Sequence, residues 1–139
     1  MTKEPKYWKK AKKYLSKKDK VISNLIRSYR SPSEITLTSR KDIFFSLCKS
    51  IIGQQISVAA ANSVFLKFKK KCKKKINPKV VLKLTKAQLR SCGLSRQKIS
   101  GLKNLAKQIL DKSFNPKLIK KMSDEEAIIY LCNLKQIGR

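Results

Sequence analysis

Hydrophobic residues recur every three to four positions along most of the chain, which is the period of an amphipathic α-helix. Two such stripes stand close together near the middle of the sequence. The first comprises Phe44, Leu47, Cys48, Ile51 and Ile52, and the second comprises Val58, Ala61, Val64, Phe65 and Phe68. They predict two buried helices joined by residues 53–57, a short polar connection that we call the elbow.

The elbow has the sequence Gly-Gln-Gln-Ile-Ser. We expect Gly53 to end the first helix in a left-handed backbone conformation and Ser57 to cap the second helix. Gln54 and Gln55 are costly to bury unless their amide groups find hydrogen-bond partners. The elbow therefore faces solvent or a binding partner, and a turn whose glutamines are merely solvated remains the alternative.

Further helices are predicted on both sides of this pair. Residues 1–30 read as two helices, residues 31–38 as a break without a strand, and residues 80–84 as a short buried helix. Capping residues mark most of the helix starts: Asp19, Asp42, Thr85, Ser95 and Ser123, the last in a capping box with Glu126. The pattern predicts an all-α helical bundle, with residues 1–139 forming a single domain large enough to bury a core without disulfides.

The charge balance indicates that this helical protein binds anions. The chain has 35 Lys and Arg against 8 Asp and Glu, a formal net charge of +27. A polyanion such as DNA is the expected partner, because neutralised phosphates release counterions. RNA and an anionic membrane surface are the alternatives. All but six of the basic residues are lysines, so a lysine-rich proteome would raise the charge without selection for DNA binding.

Metal and cofactor sites are not expected. The chain has no His, and its four cysteines, Cys48, Cys72, Cys92 and Cys132, are too widely spaced for a zinc site or an iron–sulfur cluster. Most of them fall in or beside apolar stripes, Cys132 in that of the last helix, which predicts buried free thiols in a reducing compartment. No signal peptide or membrane span is visible in the sequence. A cytoplasmic location is expected, or a nuclear one in a eukaryote, and we expect a monomer.

The stretch Ile51-Ile-Gly-Gln-Gln-Ile-Ser57 resembles the signature of the alkylbase DNA glycosylases, the DNA-3-methyladenine glycosylase II group of the helix-hairpin-helix superfamily. The resemblance implies that the elbow enters the minor groove of DNA. It makes Gln55 the wedge that fills the gap left by a flipped base, with Gln54 beside it at the groove. Ser57 would cap the next helix close to the DNA backbone.

Two further stretches are similar to the same family. Gly93-Leu-Ser95 followed by a helix bearing Lys98 is similar to a turn of these enzymes. The resemblance makes Lys98 a DNA-binding residue, although packing alone would also account for the pattern. Leu134-Lys-Gln-Ile-Gly-Arg139 resembles the opening of the helix-hairpin-helix motif, in which backbone N–H groups contact a DNA phosphate. The resemblance makes Ile137, Gly138 and Arg139 DNA-binding residues. Gln136 stands where the family commonly has the first Gly of the hairpin.

The resemblance implies a hydrolase that flips out and removes alkylated bases such as 3-methyladenine from double-stranded DNA. It would act at the bacterial nucleoid, or in the nucleus of a eukaryote. The catalytic Asp of the family has no counterpart here, so we nominate no catalytic residue and expect this chain, which looks truncated inside the hairpin, to be inactive. A non-catalytic basic nucleic-acid-binding protein and a helical interaction domain are the alternative functions.

Overall fold

A computed structural model describes residues 6–29 and 42–139 of the chain. The chain divides into two compact units, Met1–Ser39 and Arg40–Arg139, and each is described by itself. That residues 1–139 form a single domain stays a prediction. The predicted break at residues 31–38 lies outside the described residues.

The first unit contains α1 (Trp8–Lys18) and α2 (Lys20–Ser28), which pack against each other. One residue separates the two helices and serves as the predicted cap. The Asp19 carboxylate accepts hydrogen bonds from the backbone N–H groups of Val21 at 2.7 Å and Ile22 at 3.0 Å. Because these N–H groups have no partner within the helix, the carboxylate fixes where α2 begins.

The second unit is also helical. Its elements are α3 (Ile43–Gly53), α4 (Val58–Lys71), α5 (Pro78–Lys83), α6 (Lys86–Arg90), α7 (Arg96–Leu110), a 3-10 helix (Pro116–Lys121) and α8 (Asp124–Cys132). Residues 6–29 and 42–139 contain no strand, and the predicted all-α fold is confirmed. None of the helices in these two segments is long and apolar enough to cross a membrane.

Side-chain caps begin the helices of this unit, as the sequence predicts. Asp42 accepts a hydrogen bond from the N–H of Phe45 at the start of α3. Thr85 and Gln88 form a reciprocal capping box at α6, and Ser123 forms another with its partner three residues on at α8. Local sequence therefore fixes these helix starts independently of tertiary packing.

The core of the second unit lies around α7, which packs against α3, α5 and α6, while α3 also packs against α4. Its buried side chains are all hydrophobic: Phe44, Cys48, Ile51, Ile52, Phe65, Phe68, Cys72, Val81, Leu84, Leu89, Cys92, Leu94, Ile99, Leu102, Leu105, Ala106, Phe114 and Leu134. Apolar burial of this kind is the main stabilising contribution in a domain of this size. It holds the last turn of α3 and the first turn of α7 in fixed positions.

Three of the four cysteines are buried free thiols, and Cys132 is exposed. The sequence placed Cys132 in the apolar stripe of α8, and that placement is wrong because α8 buries the face carrying Ile128 and Leu131 only partly. Burial raises the pKa of the Cys72 thiol to about 11. No group of three or more His, Cys, Asp or Glu residues within the described segments is arranged to hold a metal ion.

Candidate nucleic-acid interface

The elbow reverses the chain at Gln55, not at Gly53. Gly53 is the last residue of α3 and does not take a positive φ, whereas Gln55 has φ 55°. The expectation that Gly53 adopts the left-handed conformation is therefore wrong. The last turn of α3 stays helical because one of its carbonyl groups, that of Ile52, has a partner elsewhere in the fold, the Lys98 ammonium.

The left-handed residue sends the two glutamines of the elbow in different directions. Gln54 is half-buried, and its Nε2 donates a hydrogen bond of 2.5 Å to the main-chain carbonyl of Gln136. Gln55 is exposed, as are Ile56 at 39% and Val58 at 79% of their surface. A non-Gly residue with a left-handed backbone carries a conformational cost of about 1 kcal/mol, and such residues cluster at functional sites. Gln55 is thus the exposed amide of the elbow, and Gln54 the internally bonded one.

Ser57 caps α4 as predicted. Its hydroxyl oxygen accepts a hydrogen bond from the N–H of Ala60 at 3.2 Å, and its side chain remains exposed. The cap places the positive end of the α4 dipole next to Gln55, which favours an anion near the elbow.

Lys98 binds the end of α3, where the elbow begins. Its Nζ donates a hydrogen bond of 2.8 Å to the carbonyl of Ile52, one residue before the end of α3. The side chain is half-buried, and its backbone N–H is bound by the Ser95 cap at 3.3 Å. Lys98 was predicted to bind DNA, and the structure gives its ammonium a partner within the protein. The lysine positions the elbow by completing the end of α3.

The segment after α8 folds back onto α7 and the elbow. Leu134 is buried, and its carbonyl accepts from the N–H of Ile137 at 3.1 Å. Between them Gln136 takes φ 70°, the left-handed conformation that a Gly would adopt at least cost. A Gln thus occupies a backbone conformation that favours Gly.

Gly101 on α7 makes room for that turn. A Cβ built on Gly101 would lie 2.9 Å from Cγ and 3.1 Å from Cβ of Gln136. Both distances are shorter than a normal contact, so a side chain at position 101 would force the Gln136 side chain, or the turn that carries it, to shift. The close approach in turn brings the Gln136 carbonyl within reach of Gln54.

The last three predicted residues differ in their surroundings. Ile137 is partly buried against the core. Gly138 is exposed, with nothing within 4 Å of an added Cβ, and its φ is not positive. Arg139 donates hydrogen bonds from one nitrogen to both carboxylate oxygens of Glu125, at 2.7 and 3.0 Å. The structure therefore brings Gln54 and the 134–137 turn together, while Arg139 is engaged by an acid of α8.

Comparison with known proteins decides the family. The profile of the HhH-GPD superfamily base excision DNA repair proteins matches residues 48–137, which include the elbow, the Gly93 turn and the C-terminal turn at residues 134–137. The chain belongs to the HhH-GPD superfamily.

Two curated relatives are both from Schizosaccharomyces pombe. The chain is 30% identical over 143 residues to the alkylbase DNA glycosidase-like protein mag2, with 100% of this chain and 66% of that protein covered. It is 29% identical over 123 residues to DNA-3-methyladenine glycosylase 1, with 86% and 53% covered. The chain thus spans between about half and two thirds of the length of these relatives.

Solved structures show the same fold. The 3-methyladenine DNA glycosylase Mag1 of Schizosaccharomyces pombe in complex with abasic DNA matches with a TM-score of 0.81 and 26% identity, over 94% of this chain and 65% of that one. The 3-methyladenine DNA glycosylase of Archaeoglobus fulgidus matches with a TM-score of 0.70 and 24% identity, over 99% and 54%.

The acidic residues of this HhH-GPD chain have structural roles wherever they are described. Asp19 and Asp42 cap helices, and Asp111 accepts bonds from the backbone and hydroxyl of Ser113, which lower its carboxyl pKa. Asp124, Glu125 and Glu126 form the first turn of α8, where they complement the helix dipole. Glu126 also accepts bonds from Ser123 that lower its pKa. Each described acid thus lies at a helix end or in a turn.

The sequence of this HhH-GPD chain does not reveal the contact between Gly101 and the turn at Gln136. Gly101 lies inside a regular helical stripe, where Gly costs about 1 kcal/mol relative to Ala. A Gly in a helix interior often has a packing reason, so Gly101 could have indicated a close contact at this position.

Proposed function

We propose that this protein acts in base excision repair as a DNA N-glycosylase on alkylated bases such as 3-methyladenine, and that residues 42–139 contribute its DNA-binding and base-flipping elements. The single observation that carries the proposal is the geometry of the elbow. Gln55 is exposed and left-handed, and it lies between the end of α3, where Lys98 binds the Ile52 carbonyl, and the start of α4, which Ser57 caps. Family membership supports the reaction class. The partner is double-stranded DNA, bound by a monomer.

Base removal requires that the damaged nucleotide leave the stack, because its glycosidic carbon is inaccessible within the duplex. Unstacking costs a few kcal/mol, so a side chain that fills the vacated space favours the extruded state. Gln55 suits this task because its amide is flat and offers both a donor and an acceptor to the orphaned base. The exposed Ile56 adds an apolar edge beside it.

The rigidity of the elbow supports the same role. A wedge must keep its shape while it displaces a stacked base. Lys98 holds one end of the elbow through the Ile52 carbonyl, and Gln54 ties the middle to Gln136. These bonds come from two different parts of the fold, so the wedge is held before DNA arrives, which lowers the entropy lost on binding.

Cleavage of the glycosidic bond also needs a carboxylate to stabilise the developing sugar cation and to assist water. The six described acids all serve helix ends or turns. We therefore propose that residues 42–139 supply lesion recognition without the carboxylate. A non-catalytic nucleic-acid-binding protein is the second candidate function, and the same distribution of acids favours it.

Binding of the full chain to two duplexes, one with a central abasic site and one intact, distinguishes the candidates. The wedge proposal predicts tighter binding to the abasic duplex. Gln55→Ala should reduce that affinity about tenfold, a loss of about 1.4 kcal/mol, and leave the affinity for the intact duplex unchanged. The exposed amide variant Asn24→Ala on α2 is the control. Equal affinity for both duplexes would favour the non-catalytic binder, and an equal loss on both would contradict the assignment of Gln55.

A further inference from the structure

A cavity of about 570 Å³ lies between the α5–α6 segment and one face of α7. We call it the cationic cavity, because five basic side chains line it: Lys86, Arg90, Arg96, Lys103 and Lys107. Its volume is within the range of small-molecule sites, about 300–1,000 Å³. The elbow, the Gly93 turn and the C-terminal turn contribute no residue to it.

The positive charge of the cationic cavity is not neutralised by its own walls. No acidic side chain of the described segments is among its lining residues. Lys103 donates hydrogen bonds to the carbonyls of Leu82 and Leu84, so its ammonium is fixed at the wall. Desolvation, together with the nearby charge of Lys86, lowers the pKa of Lys103. Like charges gathered without a counter-charge repel one another, and an anion in the cavity would relieve that repulsion.

The cavity also has a surface that suits an uncharged ring. Leu82 and Ile99 provide apolar side chains, and Ser100 and Asn104 provide polar groups beside them. The Oδ1 atom of Asn104 accepts a bond from Nε2 of Gln108 at 3.0 Å, which orients its NH₂ group as a donor. Apolar walls with a few convergent polar groups are typical of sites that bind a flat organic ligand.

The cationic cavity and the elbow use opposite faces of α7. Lys98, which holds the elbow, and Lys107, which lines the cavity, are nine residues apart in this helix. At about 3.6 residues per turn this is about two and a half turns, so the two side chains leave the helix on opposite sides. A ligand in the cavity would therefore not occupy the space beside Lys98 at the elbow.

We propose that the cationic cavity is a second binding site that takes a nucleoside phosphate, with the base against Leu82 and Ile99 and the phosphate among the basic side chains. Inorganic phosphate would satisfy the cations but leave the apolar walls in contact with water. An acidic peptide would need a longer groove than one cavity offers. A nucleoside phosphate combines the two required properties. It comes either as a free nucleotide or as one unit of a single strand, and the site is independent of the proposed glycosylase function.

The test measures binding of AMP, inorganic phosphate and a short thymidine oligonucleotide to the full chain by NMR titration. The cavity variant is Lys86→Gln/Arg90→Gln/Lys107→Gln. Lys103 is left unchanged because its ammonium donates hydrogen bonds to the carbonyls of Leu82 and Leu84. The control variant Lys69→Gln/Lys70→Gln/Lys121→Gln removes three positive charges from exposed residues outside the cavity. Helical circular dichroism confirms that both variants fold. The amide signals of Ser100 and Asn104 report whether the ligand occupies the cavity.

We expect AMP or the oligonucleotide to shift the Ser100 and Asn104 signals, to bind at least about tenfold more tightly than inorganic phosphate, and to lose about tenfold in the cavity variant only. Binding of AMP identifies a free nucleotide as the source. Binding of the oligonucleotide alone identifies a strand. Equal losses in both triple variants would show a general charge effect and overturn the proposal. Inorganic phosphate binding as tightly as AMP, or no shift at either amide, would also overturn it.

Discussion

The side-chain amide of Gln54 donates a hydrogen bond to the main-chain carbonyl of Gln136, 82 positions further along the chain. The bond joins the elbow to the turn after α8, the two segments that most resemble DNA-binding elements. Gln54 and Gln55 are adjacent and chemically identical, yet one has its partner inside the protein and the other is exposed. Their functions should therefore separate when each is substituted.

Gln54→Ala should lower the free energy of unfolding by about 1–2 kcal/mol, because the half-buried carbonyl of Gln136 loses its donor. Gln55→Ala has no such bond to lose and should leave stability nearly unchanged. Urea denaturation of the two variants measures the difference. If both variants are as stable as the wild-type protein, the bond between Gln54 and Gln136 does not hold the elbow.

Lys98→Met should destabilise the protein by about 1.5 kcal/mol, since the Ile52 carbonyl loses a charged donor while the aliphatic stem keeps its packing. It should not change the salt dependence of DNA binding. A lysine that contacts a phosphate would instead reduce the slope of log K against log salt by about one unit. Lys69→Met, an exposed substitution on α4, is the control for stability. A reduced slope for Lys98→Met would support its assignment as a DNA contact.

Gly101→Ala should destabilise the protein even though Ala is the better helix former by about 1 kcal/mol. The added Cβ would lie 2.9 Å from Cγ of Gln136. Gln136→Gly alone should stabilise by about 0.5–1 kcal/mol, because φ 70° suits glycine. In the double variant the contact is gone, and Gly101→Ala should become neutral or stabilising. A double-mutant cycle measured by urea denaturation gives this coupling, and additive effects would contradict the steric account.

The sequence predicts features that depend on neighbouring residues, such as helix caps. It does not predict contacts between residues that lie far apart along the chain. The caps at Asp42, Ser57 and Ser95 were readable because each depends on residues within three positions. The left-handed conformation was assigned to Gly53 because glycine adopts it most easily, whereas the support of Lys98 keeps Gly53 helical and moves the reversal to Gln55. The contact between Gly101 and Gln136 joins positions 35 residues apart in the printed sequence, and no local pattern contains it.

The buried thiols make stability depend on pH in the alkaline range. The pKa of Cys72 rises from its ordinary value of 9.0 to about 11, because burial disfavours the thiolate, and burial raises that of Cys48 as well. A raised pKa means that the folded state keeps protons that the unfolded state releases. The stability that the protonated Cys72 thiol contributes to the fold is fully present below pH 9 and is lost as the pH rises from 9 to 11. The free energy of unfolding should fall over this range.

Cys72→Ala tests the origin of that fall. The variant should be less stable at pH 8 because it leaves a cavity, but its stability should decline less steeply between pH 9 and pH 11. Cys132→Ala, at the exposed thiol, is the control and should retain the wild-type slope. Identical slopes in all three proteins would mean that the Cys72 thiol does not cause the decline.

Gln55→Gly separates the shape of the elbow from the wedge at its tip. Glycine adopts φ 55° without the steric cost that Gln55 bears, so the variant should be as stable as the wild-type protein or about 0.5–1 kcal/mol more stable. It has no side chain to fill the space of an extruded base, so its affinity for abasic duplex should fall as much as that of Gln55→Ala. Thermal unfolding and duplex binding measured on the same samples give both quantities. A stabilising substitution that weakens binding cannot be attributed to misfolding, and this makes Gln55→Gly the most direct measure of the wedge. Undiminished affinity would mean that the backbone of the elbow, and not the Gln55 amide, recognises the damaged site.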